Sequence, residues 1–138
     1  EPVKFVAYQT VGEERLPIYH TNVMMCVADQ YAILCADSID DDNERQLVMS
    51  KLKGVGKEVI EITEDQNNQF AGNMLQVLSS DGQKYLVMSD AAHKSLTEDQ
   101  IKRIEAYNPI IHRANDTIET LGGGGVRCMM AEIFLPKK

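Results

Sequence analysis

Apolar residues fall in short runs separated by turn-forming and charged residues along most of the chain. Residues 23–28 form one run and 31–36 another, joined by Asp29 and Gln30. Two such runs around a two-residue turn predict a β-hairpin. Asp40, Asp41 and Asp42 then offer N-cap side chains, and Leu47, Val48, Leu52 and Val55 recur at helical spacing. This predicts a helix that Gly54 and Gly56 end, with residues 58–62 returning as a strand. The order then recurs with a period of about fifty residues. Residues 74–78 read as a strand, Ser80, Asp81 and Gly82 as a turn, and 85–88 as a strand. Thr97 and Gln100 have capping-box spacing. The helix they open has Ile101, Ile104 and Tyr107 on its apolar face, Pro109 at its end, and Ile110 and Ile111 starting another strand. After Gly122, Gly123, Gly124 and Gly125, residues 127–135 read as the first strand of a third unit, and residues 1–5 as the middle of an earlier strand.

The element order is therefore ββαβ, stated twice. One such unit cannot bury its own apolar face, so repetition at this period predicts radially arranged units with helices on one side of each small sheet. The fold expected is α+β, an α/β propeller of which the chain carries two to three units. A two-layer α/β sandwich is the alternative.

Composition narrows the function. The 138 residues suit a single domain, and 43% apolar residues suffice for one core. The net charge is −7 and the sequence has no basic stripe, which argues against a nucleic-acid partner. The apolar runs are too short to span a bilayer, and the chain does not open on a signal-peptide pattern, so no membrane partner is expected. Cys26, Cys35 and Cys128 lack the spacing of a disulfide framework, which predicts free thiols in a reducing, cytoplasmic setting. Histidines and cysteines show no metal-ligand spacing, so neither a metal nor a cofactor is expected.

Candidate chemistry centres on Cys128. The glycines before it carry no Cβ, which lets the backbone turn sharply and approach a ligand closely. Arg127 stands beside it as a charge to hold the attacking thiolate. Taken alone, a cysteine at the start of an apolar strand is most often a small core residue. Cys26 and Cys35, inside the paired strands, are read as core thiols. His20, followed by Thr21 and Asn22 at a strand's beginning, suits a general acid/base for a distant cysteine, with a solvent-facing turn histidine as the alternative. His93 and His112 are assigned to structure or solvent. Residues 63–68 are read as a polar loop, Gly72 and Asn73 as a turn with positive φ, and Asp116 and Glu119 as structural.

Three stretches taken together resemble the pentein superfamily: His20-Thr21-Asn22-Val23, Phe70-Ala71-Gly72-Asn73, and the glycine run through Val126, Arg127, Cys128 and Met129. With Ile118 and Glu119 they are similar to its amidinotransferase/arginine-deiminase-related branch, in particular the citrulline-utilisation hydrolase type. The resemblance runs through nearly the whole chain and implies a five-bladed ββαβ propeller. It implies that Cys128 is a nucleophile and His20 an acid/base, acting on a guanidino or ureido carbon. Asn22 matches a position that is aspartate in arginine deiminases, where it holds the guanidinium. Gly125 stands where this branch has serine, so Asn22, Gly125 and Arg127 are the expected substrate-side residues. The alternatives are an amidinotransferase on arginine, a non-catalytic binding member of the superfamily or an inactive fragment, and a cysteine protease. The family's members are about twice this length, so the chain corresponds to their C-terminal half. Acidic site residues are then expected on the other half, and either a homodimer or contacts to that half.

Overall fold

The computed structural model describes residues 2–133. The chain starts with an antiparallel hairpin, β1 (Tyr8–Val11) and β2 (Glu14–Pro17), turned at Gly12 with φ of 63°. Two units of like topology follow. In the first, β3 (Met25–Val27) pairs antiparallel with β4 (Tyr31–Leu34), helix α1 (Asp42–Gly54) crosses over, and β5 (Glu58–Glu61) returns parallel to β4. A short helix α2 (Glu64–Asn68) leads to the second unit. There β6 (Leu75–Leu78) pairs antiparallel with β7 (Lys84–Ser89), helices α3 (Asp90–Ser95) and α4 (Glu98–Glu105) cross over, and β8 (Ile110–Arg113) returns parallel to β7. Helix α5 (Asp116–Gly122) and a 3₁₀ turn, Val126–Met129, complete the described chain.

The predicted elements form for the reasons expected of them. Asp41 caps α1, its carboxylate accepting from the backbone of Asn43 and Glu44 at 2.9 Å. The burial of that helix differs from its predicted apolar face. Val48 is buried, but Leu47 and Val55 are exposed, because the helix rests on its sheet through Val48 with Met49 and Leu52. β4 is buried at every position, as a central strand paired on both sides must be. Tyr31, fully buried, stacks on Tyr107 at 5.2 Å and donates to Asn108 Oδ1 at 3.1 Å, tying the first sheet to the second unit. Glu58 adds a polar link, accepting from Arg103 Nε at 2.6 Å and Tyr107 Oη at 2.7 Å.

The polar loop expected at residues 63–68 is instead the capped helix α2. Thr63-Glu64-Asp65-Gln66 repeats the tetrapeptide Thr97-Glu98-Asp99-Gln100 that caps α4, and both close capping boxes. The two glutamine amides also bond each other, Gln66 Nε2 to Gln100 Oε1 at 2.8 Å and Gln100 Nε2 to Gln66 Oε1 at 3.1 Å. Each further donates to a carbonyl beside the other's cap, Gln66 to Ser95 O and Gln100 to Glu61 O. Both side chains are buried, so this reciprocal pairing removes polar groups that would otherwise destabilise the packing.

Two expected strands are absent among the described residues. Residues 2–7 form no strand. Within the segment 127–135, residues up to Met129 form the 3₁₀ turn because Cys128 N bonds back to Gly125 O at 3.1 Å, and 130–133 are irregular. Glu1, Phe134 and Leu135 lie outside the described residues.

His93 and His112 stack with ring centroids 4.0 Å apart, and His112 Nδ1 lies 2.6 Å from Asp90 Oδ1. Burial, and then the neighbouring His112, hold the pKa of His93 below its ordinary 6.5. The folded state therefore takes up this proton less readily than the unfolded one. The contribution is fully present above about pH 6.5 and is lost as pH falls through the depressed folded value. Lys94, Glu105 and Arg113 are the other charged groups near this pair. We expect the thermal midpoint to drop more between pH 7.5 and 5.5 in the native protein than in His93→Gln; equal drops would exclude this origin.

Candidate functional site

Three chain segments, joined by Gln9 of β1, meet at one cleft of about 460 Å³, a size suited to a small molecule. The first is the stretch after β2, carrying His20 and Asn22. The second is α2 and the turn beyond it, carrying Asn67, Phe70 and Asn73. The third is the loop of Gly123, Gly124 and Gly125 with Cys128.

His20 sits in extended conformation just before the 3₁₀ turn Thr21–Val23. Its side chain makes no capping bond, is exposed, and lies edge-on to Tyr19 at 4.9 Å. Asn22 is half-buried and lines the same cleft. Its backbone oxygen accepts from Asn73 Nδ2 at 2.7 Å.

The turn at residues 70–73 is shaped differently from its sequence expectation. Positive φ occurs at Phe70, at 64°, while Gly72 is required for its size. A Cβ on Gly72 would lie 2.5 Å from Val23 O and 2.8 Å from Met24 C, both backbone atoms. This close approach locks the turn against the His20 segment. Asn73, 4% exposed, is drawn by it into the floor of the cleft, where its Nδ2 lies 3.3 Å from Cys128 Sγ.

The glycine run has two distinct duties. Gly123 closes α5 in the left-handed region at φ 68°, its N–H donating to Glu119 O. Gly124 and Gly125 leave room for the site. A Cβ on Gly124 would meet Cys128 Sγ at 3.2 Å, and one on Gly125 would meet Asn73 Oδ1 at 2.8 Å and Phe70 Cβ at 3.2 Å. A side chain at 125 has no space here unless Asn73 shifts.

Of the cysteines, only Cys128 is exposed among the described residues. Cys26 is fully enclosed and its thiol is pushed up to about 12 by burial; burial raises that of Cys35 as well. Both are core thiols, as their strand positions predict. Arg127 does not line the cleft. Successive residues of a 3₁₀ turn point about 120° apart, so it diverges from Cys128, and its charge acts on Cys26 instead. Glu119 is buried, with Oε1 unpaired among the described residues, and lies outside the cleft lining, as does Asp116. Asn73, which the sequence predicts as a turn former, also belongs to the site; its signal is an amide next to a glycine in one of the three stretches that carry the resemblance. The described lining contains no Asp, Glu, Lys or Arg. No group of three or more His, Cys, Asp or Glu among the described residues is arranged to hold a metal ion. No helix among them is long and apolar enough to cross a membrane.

This mixed α+β chain, with small three-stranded sheets and a cysteine–histidine–asparagine cleft, shares its fold with an arginine-processing enzyme. ArgZ, an arginine dihydrolase from the ornithine–ammonia cycle in cyanobacteria, superposes with a TM-score of 0.59 at 17% identity over 86% of this chain. The chain spans 17% of the dihydrolase's length. No curated protein matches it in sequence. Residues 1–135 match the family described as N,N dimethylarginine dimethylhydrolase, eukaryotic, and the chain belongs to that family.

Proposed function

We propose that this chain supplies the nucleophile and acid/base half of a cysteine-dependent hydrolase acting on a guanidino or ureido C–N bond of an arginine- or citrulline-like small molecule. The observation that carries this reading is the meeting of His20, Asn22 and the one exposed described thiol, Cys128, at a single cleft. Family membership and the fold shared with an arginine dihydrolase support it.

Cys128 Sγ, as thiolate, attacks the planar carbon and forms a C–S bond. His20 gives its proton to the departing nitrogen as the C–N bond breaks, leaving an S-linked intermediate. His20 then takes a proton from water, whose oxygen attacks the same carbon, and the C–S bond breaks to restore the thiolate. Asn22 orients the substrate. Its amide both donates and accepts, so it meets a ureido oxygen and nitrogen without a buried unpaired charge. A guanidinium would instead call for a carboxylate, which on this reading comes from the other half of the protein. The finer reading, a ureido substrate of the citrulline class, rests on the amide of Asn22, with the propeller's other units closing the site.

The test is turnover by the protein carrying this chain, supplied in parallel with citrulline, arginine and N-methylated arginine, following release of ammonia or methylamine. Citrulline is expected to be consumed fastest. Arginine or methylarginine consumption without citrulline consumption would remove the ureido preference, and transfer to an added amine in place of water would make the enzyme a transferase.

A further inference from the structure

The one buried polar side chain that touches both ends of the cleft is Asn73. Its Nδ2 lies 2.7 Å from Asn22 O and 3.3 Å from Cys128 Sγ. The orientation of this amide is fixed by chemistry. A backbone oxygen only accepts, so the atom facing Asn22 O is the NH₂ group, and its second hydrogen is left for the sulfur. The side chain has little freedom to turn away. Asn73 N donates to Phe70 O at 2.9 Å, Arg127 N donates to Asn73 O at 3.4 Å, and Gly125 packs on Oδ1 too closely for any Cβ.

The other end of the amide is unusual. Asn73 Oδ1 is buried and has no partner among the described residues. A buried acceptor left unpaired destabilises the fold, and an apolar side chain of the same size would not incur that cost. Packing alone does not account for an asparagine here; the contacts of its NH₂ group with Asn22 O and with the sulfur do.

We propose that Asn73 is the positioning residue of the thiol, fixing Cys128 Sγ against the Asn22 segment and favouring its thiolate form. An N–H donor bonds an anionic sulfur more strongly than a neutral thiol, and the bond counts for more because Asn73 is shielded from water. Asn73 also links the partners of the reaction: through Asn22 O it registers the segment bearing His20 to the sulfur. This inference rests on the nucleophilic role proposed for Cys128.

The experiment is the pH dependence of iodoacetamide alkylation at Cys128, read by peptide mass spectrometry in the native protein, Asn73→Ala and Asn73→Asp. Thermal melts establish that each variant is folded. Loss of the donor is expected to lower the alkylation rate at pH 7 by about tenfold in Asn73→Ala, with the high-pH plateau unchanged. Asn73→Asp, with a carboxylate against the sulfur, is expected to lower it further. An unchanged pH midpoint in a folded variant would overturn the proposal and leave Asn73 a packing residue. Should neither variant fold, the native midpoint is compared with that of a peptide spanning residues 125–131; a native midpoint at or above the peptide's overturns the proposal equally. Turnover by Cys128→Ala reports on the nucleophile separately, so failure of that role is distinguishable from failure of this one.

Discussion

Cys128→Ala is expected to lower kcat by at least about 10³-fold while leaving the thermal midpoint nearly unchanged. The two halves of that expectation come from one observation. The side chain is exposed in the cleft and contributes no core volume, so its removal leaves no cavity. Its side-chain hydrogen bond, from Asn73 Nδ2, is one that water can replace once the sulfur is removed. A nucleophile, by contrast, has no substitute, because the covalent intermediate cannot form without it. Steady-state kinetics and a melt on the same preparation decide the matter, and retained turnover would remove the mechanism. Truncating either buried cysteine should do the reverse. Cys26 and Cys35 lie in the core, so their removal acts on stability first.

Gly72→Ala carries the largest expected effect on the fold. Its new Cβ would overlap Val23 O, Met24 C and Asn67 Oδ1 at 2.5, 2.8 and 2.6 Å. Two of these are backbone atoms of the His20-bearing segment and cannot swing aside. Overpacking of this kind costs roughly 1–3 kcal/mol, and in a chain this size lowers the midpoint by about 3–12 °C. Because the displaced segment carries His20 and Asn22, turnover should fall as well. Gly54→Ala is the matched control. Nothing lies within 4 Å of its Cβ and it sits in helix α1, so alanine there should stabilise by up to about 1 kcal/mol. Equal midpoints for the two variants would show that the approach at Gly72 is not close.

The parts of this architecture legible in the sequence are those where burial imposes a period. The ββαβ order could be read because β4 and β7 are apolar and α4 presents Ile104 to the core with Ile101 and Tyr107 beside it. The hairpin β1–β2 could not, since its second strand is exposed throughout and shows no alternation. What seats it is Arg15, bonded to Thr10 and Glu64 through one terminal nitrogen and to Asp40 and the Asp37 carbonyl through the other. Such a hub has no sequence period. Helix α2 spans five residues, too few for an apolar face, although its tetrapeptide was a copy of one already read as a cap. At the site, the chemistry-bearing types His20, Asn22 and Cys128 were legible and their convergence rested on resemblance. The direction of Arg127 was not, because it depends on a 3₁₀ turn set by one backbone bond from Cys128 N to Gly125 O. The role of Asn73 was hidden for a similar reason: whether an amide near a glycine caps a turn or faces a thiol depends on contacts 51 and 55 residues away.

The paired glutamines carry a consequence for how the chain assembles. Gln66 completes the cap of α2 and Gln100 that of α4, yet each also depends on the other for a buried hydrogen bond 34 residues distant in sequence. Neither helix start can reach its final hydrogen-bonded state while the other is unformed. A row of repeats ordinarily unravels piecemeal, each unit held only by its own stability and a boundary term. Here the boundary includes a bond between the connecting helix α2 and helix α4 of the second unit, so fraying of either leaves a buried amide of the other short of a partner. The connector and the second unit are therefore expected to melt together, and the loss is felt at the cleft, which α2 and the turn after it help to line.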